Sequence, residues 1–114
     1  MSAGRGLLVL SVLLASCGGS YPRVTVVNAC GGTLSGGVLT LEEGTAYAIG
    51  RLEAGEKTTV VVEPRGESDV TLDYTDPTGI ERTVSGGYLE ETGSYHLTLT
   101  VGEQGVVDFD VNLD

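Results

Sequence analysis

The chain has 114 residues, a single-domain length, and is 40% hydrophobic with only 5% aromatic residues and no tryptophan, so its core must come mainly from valine, leucine and isoleucine. Six basic against 16 acidic residues give a net charge of −10, which repels nucleic acid and anionic headgroups and excludes both as expected partners. β-Branched side chains, with 18 glycines breaking up short apolar runs, favour strands over helices.

Residues 1–6 carry one positive charge, Arg5, and residues 7–14 form an eight-residue apolar run. As a helix this run rises about 12 Å, far short of the roughly 30 Å hydrocarbon core of a bilayer, so it is not a membrane span. A secretory signal fits instead. The run closes on Leu14-Ala15-Ser16-Cys17, followed by the flexible Gly18-Gly19-Ser20. These residues resemble the signal and lipobox of bacterial lipoprotein precursors. The resemblance implies cleavage between Ser16 and Cys17, a diacylglyceryl thioether on the Cys17 sulfur and an acyl chain such as palmitate on its amine. Residues 1–16 would then be the signal peptide, 17–22 a lipidated tether and 23–114 the folded domain. Several chains anchor durably where one is marginal. Because Gly18 stands where an aspartate would otherwise follow the lipidated cysteine, the resemblance implies the outer membrane in a Gram-negative host. In any other host it implies the outer face of the cytoplasmic membrane.

A lipidated Cys17 cannot pair with Cys30, so no disulfide is expected. Cys30 lies between Ala29 and Gly31 with no Lys, Arg or His near it in sequence, and reads as a small buried hydrophobe rather than a reactive thiol.

From Arg23 the pattern becomes that of strands. A first strand is predicted over residues 23–28, with glycine turns at Gly31-Gly32 and Gly36-Gly37, and a second over 38–41 ending at the turn Glu42-Glu43-Gly44. A weaker third covers 47–51. Residues 57–63, centred on Thr58-Thr59-Val60-Val61-Val62, form the most strongly β-prone stretch, stopped by Pro64. Alternation is clean over 70–74, placing Val70, Leu72 and Tyr74 on one face and Thr71 and Asp73 on the other. Asp76-Pro77-Thr78-Gly79 carries the signature of a type I turn. Ile80, Arg82 and Val84 return on a partner strand that Gly86-Gly87 breaks. Tyr95, Leu97, Leu99 and Val101 then alternate inward along one strand, and Val107, Phe109 and Val111 along the last, with Asp108 and Asp110 outward.

Seven to eight short strands separated by turn signals predict an all-β fold, a single antiparallel sandwich or a barrel. The segment Glu91-Thr92-Gly93-Ser94-Tyr95-His96-Leu97 resembles the tyrosine-corner region of immunoglobulin-like domains, with Leu97 in place of the cysteine. Val24 to Asn28 with Gly31, and Ile49 to Glu56 before a Thr/Val strand, are similar to adhesion-type bacterial immunoglobulin-like modules. The resemblance implies an immunoglobulin-like or fibronectin-like sandwich, and fold alone does not fix function.

The chain offers little to catalysis. His96 is the sole histidine and is predicted to face outward between the inward-facing Tyr95 and Leu97; a metal site there would need Asp69, Asp73 or Asp108 beside it. No nucleophile has an orienting base, no calcium-loop spacing occurs, and the Gly-Gly pairs precede no helix that would cradle phosphate. No catalytic residue, metal or cofactor is therefore assigned. Tyr21 and Tyr88 are the tyrosines expected at the surface, and Tyr88, beside Gly86-Gly87, is the candidate protein contact. The expected role is non-enzymatic, in binding or structure at the cell envelope, with the partner, an envelope protein or a cationic protein, left open. The alternative is an acidic inhibitor-like lipoprotein that captures a cationic protein such as a lysozyme.

Overall fold

Eight strands form among the residues that the computed structural model describes, which are 21–89, 95–103 and the backbone of 107–113. They are β1 (Arg23–Asn28), β2 (Leu34–Leu41), β3 (Ala46–Leu52), β4 (Lys57–Val61), β5 (Ser68–Thr75), β6 (Glu81–Leu89), β7 (Tyr95–Val101) and β8 (Val107–Leu113). They make two four-stranded sheets, β4-β1-β7-β8 and β3-β2-β5-β6, so the all-β, two-sheet expectation holds. The signal residues, Ser16 and Cys17, lie outside the described residues. So do residues 91–94 of the segment preceding Tyr95, and the side chains of Val107, Phe109 and Val111.

Period-two alternation builds the core between the sheets. Val24, Val26, Leu97, Leu99 and Val101 come from one sheet and Leu39, Leu41, Val70, Leu72, Tyr74 and Leu89 from the other, each at most 4% exposed. Their removal from water is the main favourable term in folding, about 25 cal/mol per Å² of apolar surface.

The strand order differs from that of a constant-type immunoglobulin domain. That fold places its first two strands in one sheet, whereas here β1 and β2 lie in different sheets. The reason is that both flanks of β1 are occupied, by β4 in antiparallel register and by β7 in parallel register. Residues 29–33 therefore carry the chain across to the other layer instead of folding β2 back as a hairpin. The parallel β1–β7 pairing also makes the sandwich mixed rather than wholly antiparallel.

Two of the predicted glycine breaks are bulges inside continuous strands. In β2 the register shifts between Ser35 and Val38, with Gly36 at φ 60°. Leu34 stays inside at 3% exposure while Leu39 and Leu41 keep the inward phase beyond the shift. In β6 a shift opposite Ser68 and Val70, with Gly87 at φ 75°, moves the inward phase onto Leu89 and leaves Tyr88 outside. A left-handed residue in a strand favours glycine, and a Cβ added at Gly36 would meet nothing within 4 Å. Gly36→Ala should thus cost about 1 kcal/mol of purely backbone origin, read as a lowered urea midpoint at unchanged slope.

Candidate functional site

The sandwich has two distinct ends. At one, the chain enters through Pro22, which is buried and whose carbonyl accepts the Val62 N–H at 3.0 Å. Tyr21 before it is 50% exposed and Val61 55%. Glu42, Glu43, Arg65 and Glu67 surround a depression at this end. Their carboxylates are occupied locally: Glu43 accepts from the Arg65 N–H and the Thr45 hydroxyl, and Glu42 from the Asp69 N–H. β1 runs away from this end, and at about 3.3 Å per residue Asn28 stands about 17 Å from Arg23.

At the far end the loop of residues 29–33 meets the turn of residues 76–80 and the start of the loop after β7. Asn28, fully buried, ties the 29–33 loop down to the end of β3. Its Nδ2 donates to the carbonyls of Gly32 (2.7 Å) and Leu52 (2.9 Å), and its Oδ1 accepts from the Cys30 N–H (3.0 Å) and thiol (2.9 Å). Gly32 lies so close to the opposite turn that a Cβ on it would fall 2.7 Å from Pro77 Cβ, so only glycine lets the two loops touch.

The predicted type I turn forms, with the Gly79 N–H bonded to the Asp76 carbonyl at 2.9 Å. Asp76 Oδ1 accepts from the Thr78 N–H (2.9 Å), the Thr78 hydroxyl (2.6 Å) and the Ile80 N–H (3.0 Å), and Oδ2 accepts from Arg82 Nε at 2.7 Å. The Thr78 hydroxyl first, then Arg82 and the two backbone N–H groups, hold the Asp76 carboxyl well below the usual carboxylate range. A carboxyl depressed on folding stabilises above its unfolded value of about 4, and that contribution fades as pH falls toward the folded value. Urea midpoints followed through the acid range should therefore drop on acidification, and Asp76→Asn should flatten this drop.

These loops border an open-mouthed cavity of about 270 Å³ lined by Cys30, Asp76, Pro77, Thr78, Arg82, Gly102 and Glu103. Cys30 is half-buried and unbridged among the described residues, and burial pushes its thiol pKa up. It was expected as a small buried hydrophobe; it is half-buried, packs against the core and bonds Asn28. Beneath the loops, Tyr74 is 4% exposed and pairs in register with Arg82 on the inner face of the sheet. Its hydroxyl is buried and, among the described residues, has no hydrogen-bond partner. Burial raises its pKa against the opposing pull of Arg82, with Cys30 and Asp76 adding to the rise.

The other sequence candidates stand apart from this cavity. His96 faces outward as predicted, its Nε2 2.8 Å from the Thr25 hydroxyl, which in turn bonds Thr59 at 2.6 Å. Asp69 and Asp73 lie in the other sheet, and Asp108 pairs in register with Thr100 rather than with His96. Among the described residues no group of three or more His, Cys, Asp or Glu side chains is arranged to hold a metal ion. Tyr88 is 40% exposed and sits at the entry end, where its neighbour Leu89 pairs with Ser68. Among the residues that line the cavity, Arg82 and Glu103 carried no functional signal of their own; only the Asp76-Pro77-Thr78-Gly79 turn pointed here.

No protein-family model and no curated protein matches this sequence. Among solved structures it is similar to one described as the NMR structure of a protein from Eubacterium rectale, with a TM-score of 0.56 over 85% of this chain and 93% of that one. At 12% identity the likeness concerns the fold alone.

Proposed function

We propose that the protein is a non-enzymatic binding module anchored to the bacterial cell envelope through lipid on Cys17, after removal of residues 1–16. The observation that carries this reading is the sequence Leu14-Ala15-Ser16-Cys17 closing an eight-residue apolar run too short to span a bilayer. The position of the chain's entry supports it. A tether reaching the domain at Pro22 holds the acidic entry end toward the membrane and the far loop cluster, with its cavity, away from it. The net charge of −10 favours a cationic protein partner over an anionic one.

Cys17→Ser removes the lipid-bearing sulfur while leaving every described residue untouched. The native protein should partition into the membrane fraction and into a detergent phase. The variant should persist as uncleaved precursor or appear in the aqueous phase. Membrane retention of the variant at mature size would overturn the anchor.

A further inference from the structure

The exposed apolar side chains are unevenly placed. Among the described residues the large ones are Tyr21, Val61, Tyr88 and Ile80, and all but Ile80 stand at the entry end. Single exposed apolar residues are ordinary on a protein surface, so their placement is the informative part. Tyr21 and Val61 belong to one face. The Pro22–Val62 bond extends the β1–β4 register by one residue, so Tyr21 sits diagonal to Val61, with Arg23 between them in register with Val61. Buried Pro22 alternates with exposed Tyr21 and Arg23, which puts both on the outer face beside Val61. Tyr88 marks the opposite corner of the same end, because β4 and β6 are edge strands of different sheets and pack beside β3 and β8 respectively. Together the three define a plane across the end of the sandwich. Tyr21 also follows Cys17 by only four residues, which span at most about 14 Å. The carboxylates of Glu42, Glu43 and Glu67 at this end oppose an anionic headgroup layer, so the surface that suits the patch is zwitterionic. Tyrosine, apolar in body and polar at its tip, is favoured at such an interface.

Resting on the reading of the chain as lipid-anchored through Cys17, we propose that Tyr21, Val61 and Tyr88 seat the entry end of the domain in the headgroup layer of a zwitterionic bilayer. Lipid on Cys17 keeps the domain near the membrane, and these side chains hold it upright, with the far loops and their cavity pointing outward. The bilayer surface is then a binding partner of the folded domain itself, apart from the lipid.

The test uses the absence of tryptophan from the chain. Single fluorophores are introduced by Tyr21→Trp, Val61→Trp, Tyr88→Trp and, at the far end, Ile80→Trp, each in the lipidated protein extracted from membranes. The proteins are reconstituted in phosphatidylcholine vesicles, with and without bromine on the upper acyl carbons as a contact quencher. The three entry-end reporters should lose emission about twofold or more on brominated vesicles and shift to the blue, while Ile80→Trp stays unquenched. Ile80→Trp also controls for the interfacial preference of tryptophan itself. A domain swinging freely on its lipid would quench Tyr21→Trp alone. That pattern, equal quenching of all four reporters, or a blue shift of Val61→Trp without quenching, as a protein contact gives, would each overturn the seating while leaving the anchor intact. Failure of the Tyr21→Trp protein to associate with vesicles would instead strike the anchor, and the seating with it.

Discussion

Asn28→Ala should destabilise the protein by about 3 kcal/mol or more, measured by urea unfolding. The side chain makes four hydrogen bonds, and the Leu52 carbonyl at least loses its partner in a fully buried setting. Each buried polar group left unsatisfied costs about 1–3 kcal/mol, and the excised amide leaves a void besides. The loss should fall unevenly. Asn28 joins the end of β1 to residues 29–33 and to the end of β3, so amide hydrogens around Cys30 and Gly55, whose N–H bonds the Asn28 carbonyl at 2.9 Å, should exchange faster than those of β5 and β6. Asn28→Asp should be no milder, because an ionised carboxylate would face the two carbonyl oxygens that Nδ2 now satisfies.

Leu97→Ala should cost about 3–5 kcal/mol. Leu97 is fully buried on β7, an interior strand flanked by β1 and β8, and pairs in register with Val24 and Val111. An interior strand held by neighbours on both sides cannot collapse into the vacated space, so most of the cavity would remain. For a domain of this size the loss is a large fraction of a total stability of about 5–15 kcal/mol. Thr98→Ala, the adjacent residue on the outer side, should change stability by less than about 1 kcal/mol and serves as the control.

Leu97 and Asn28 also mark the boundary between what could and could not be read from the chain. Leu97 was legible because inward-facing positions in a strand recur every second residue, and residues 95–101 follow that rule without a fault. The same rule identified Val70, Leu72 and Tyr74 as core. It could not reveal that the Tyr74 hydroxyl goes unpartnered, since that depends on which loops close over it. Asn28 looked like the last residue of a strand. Its importance arises from the meeting of the 29–33 loop with the end of β3, a contact between segments remote in sequence. The pairs Gly36-Gly37 and Gly86-Gly87 were legible as places where the chain leaves regular geometry. A positive φ serves a turn and a bulge equally, however, so the choice between them waited on the register of the flanking strands. The sheet wiring was hidden for a related reason: local alternation states which face a residue takes and is silent on which strand lies beside it. At the candidate site the Asp76 turn was evident from its Asp-Pro-Thr-Gly signature, whereas Arg82 read only as an alternating strand residue and Glu103 only as part of a turn.

The chain's entry at Pro22 and the far cavity lie at opposite ends of the sandwich. Were the domain held by lipid as proposed, it would need no long linker to present residues 29–33 and 76–80 outward, because the length of β1 would separate them from the membrane. Mass spectrometry of the N-terminal peptide from membrane-extracted protein tests the anchor most directly. The account predicts that the mature chain begins at Cys17 and carries a diacylglyceryl group with an additional acyl chain; a chain beginning at any other residue, or an unmodified Cys17, would contradict it.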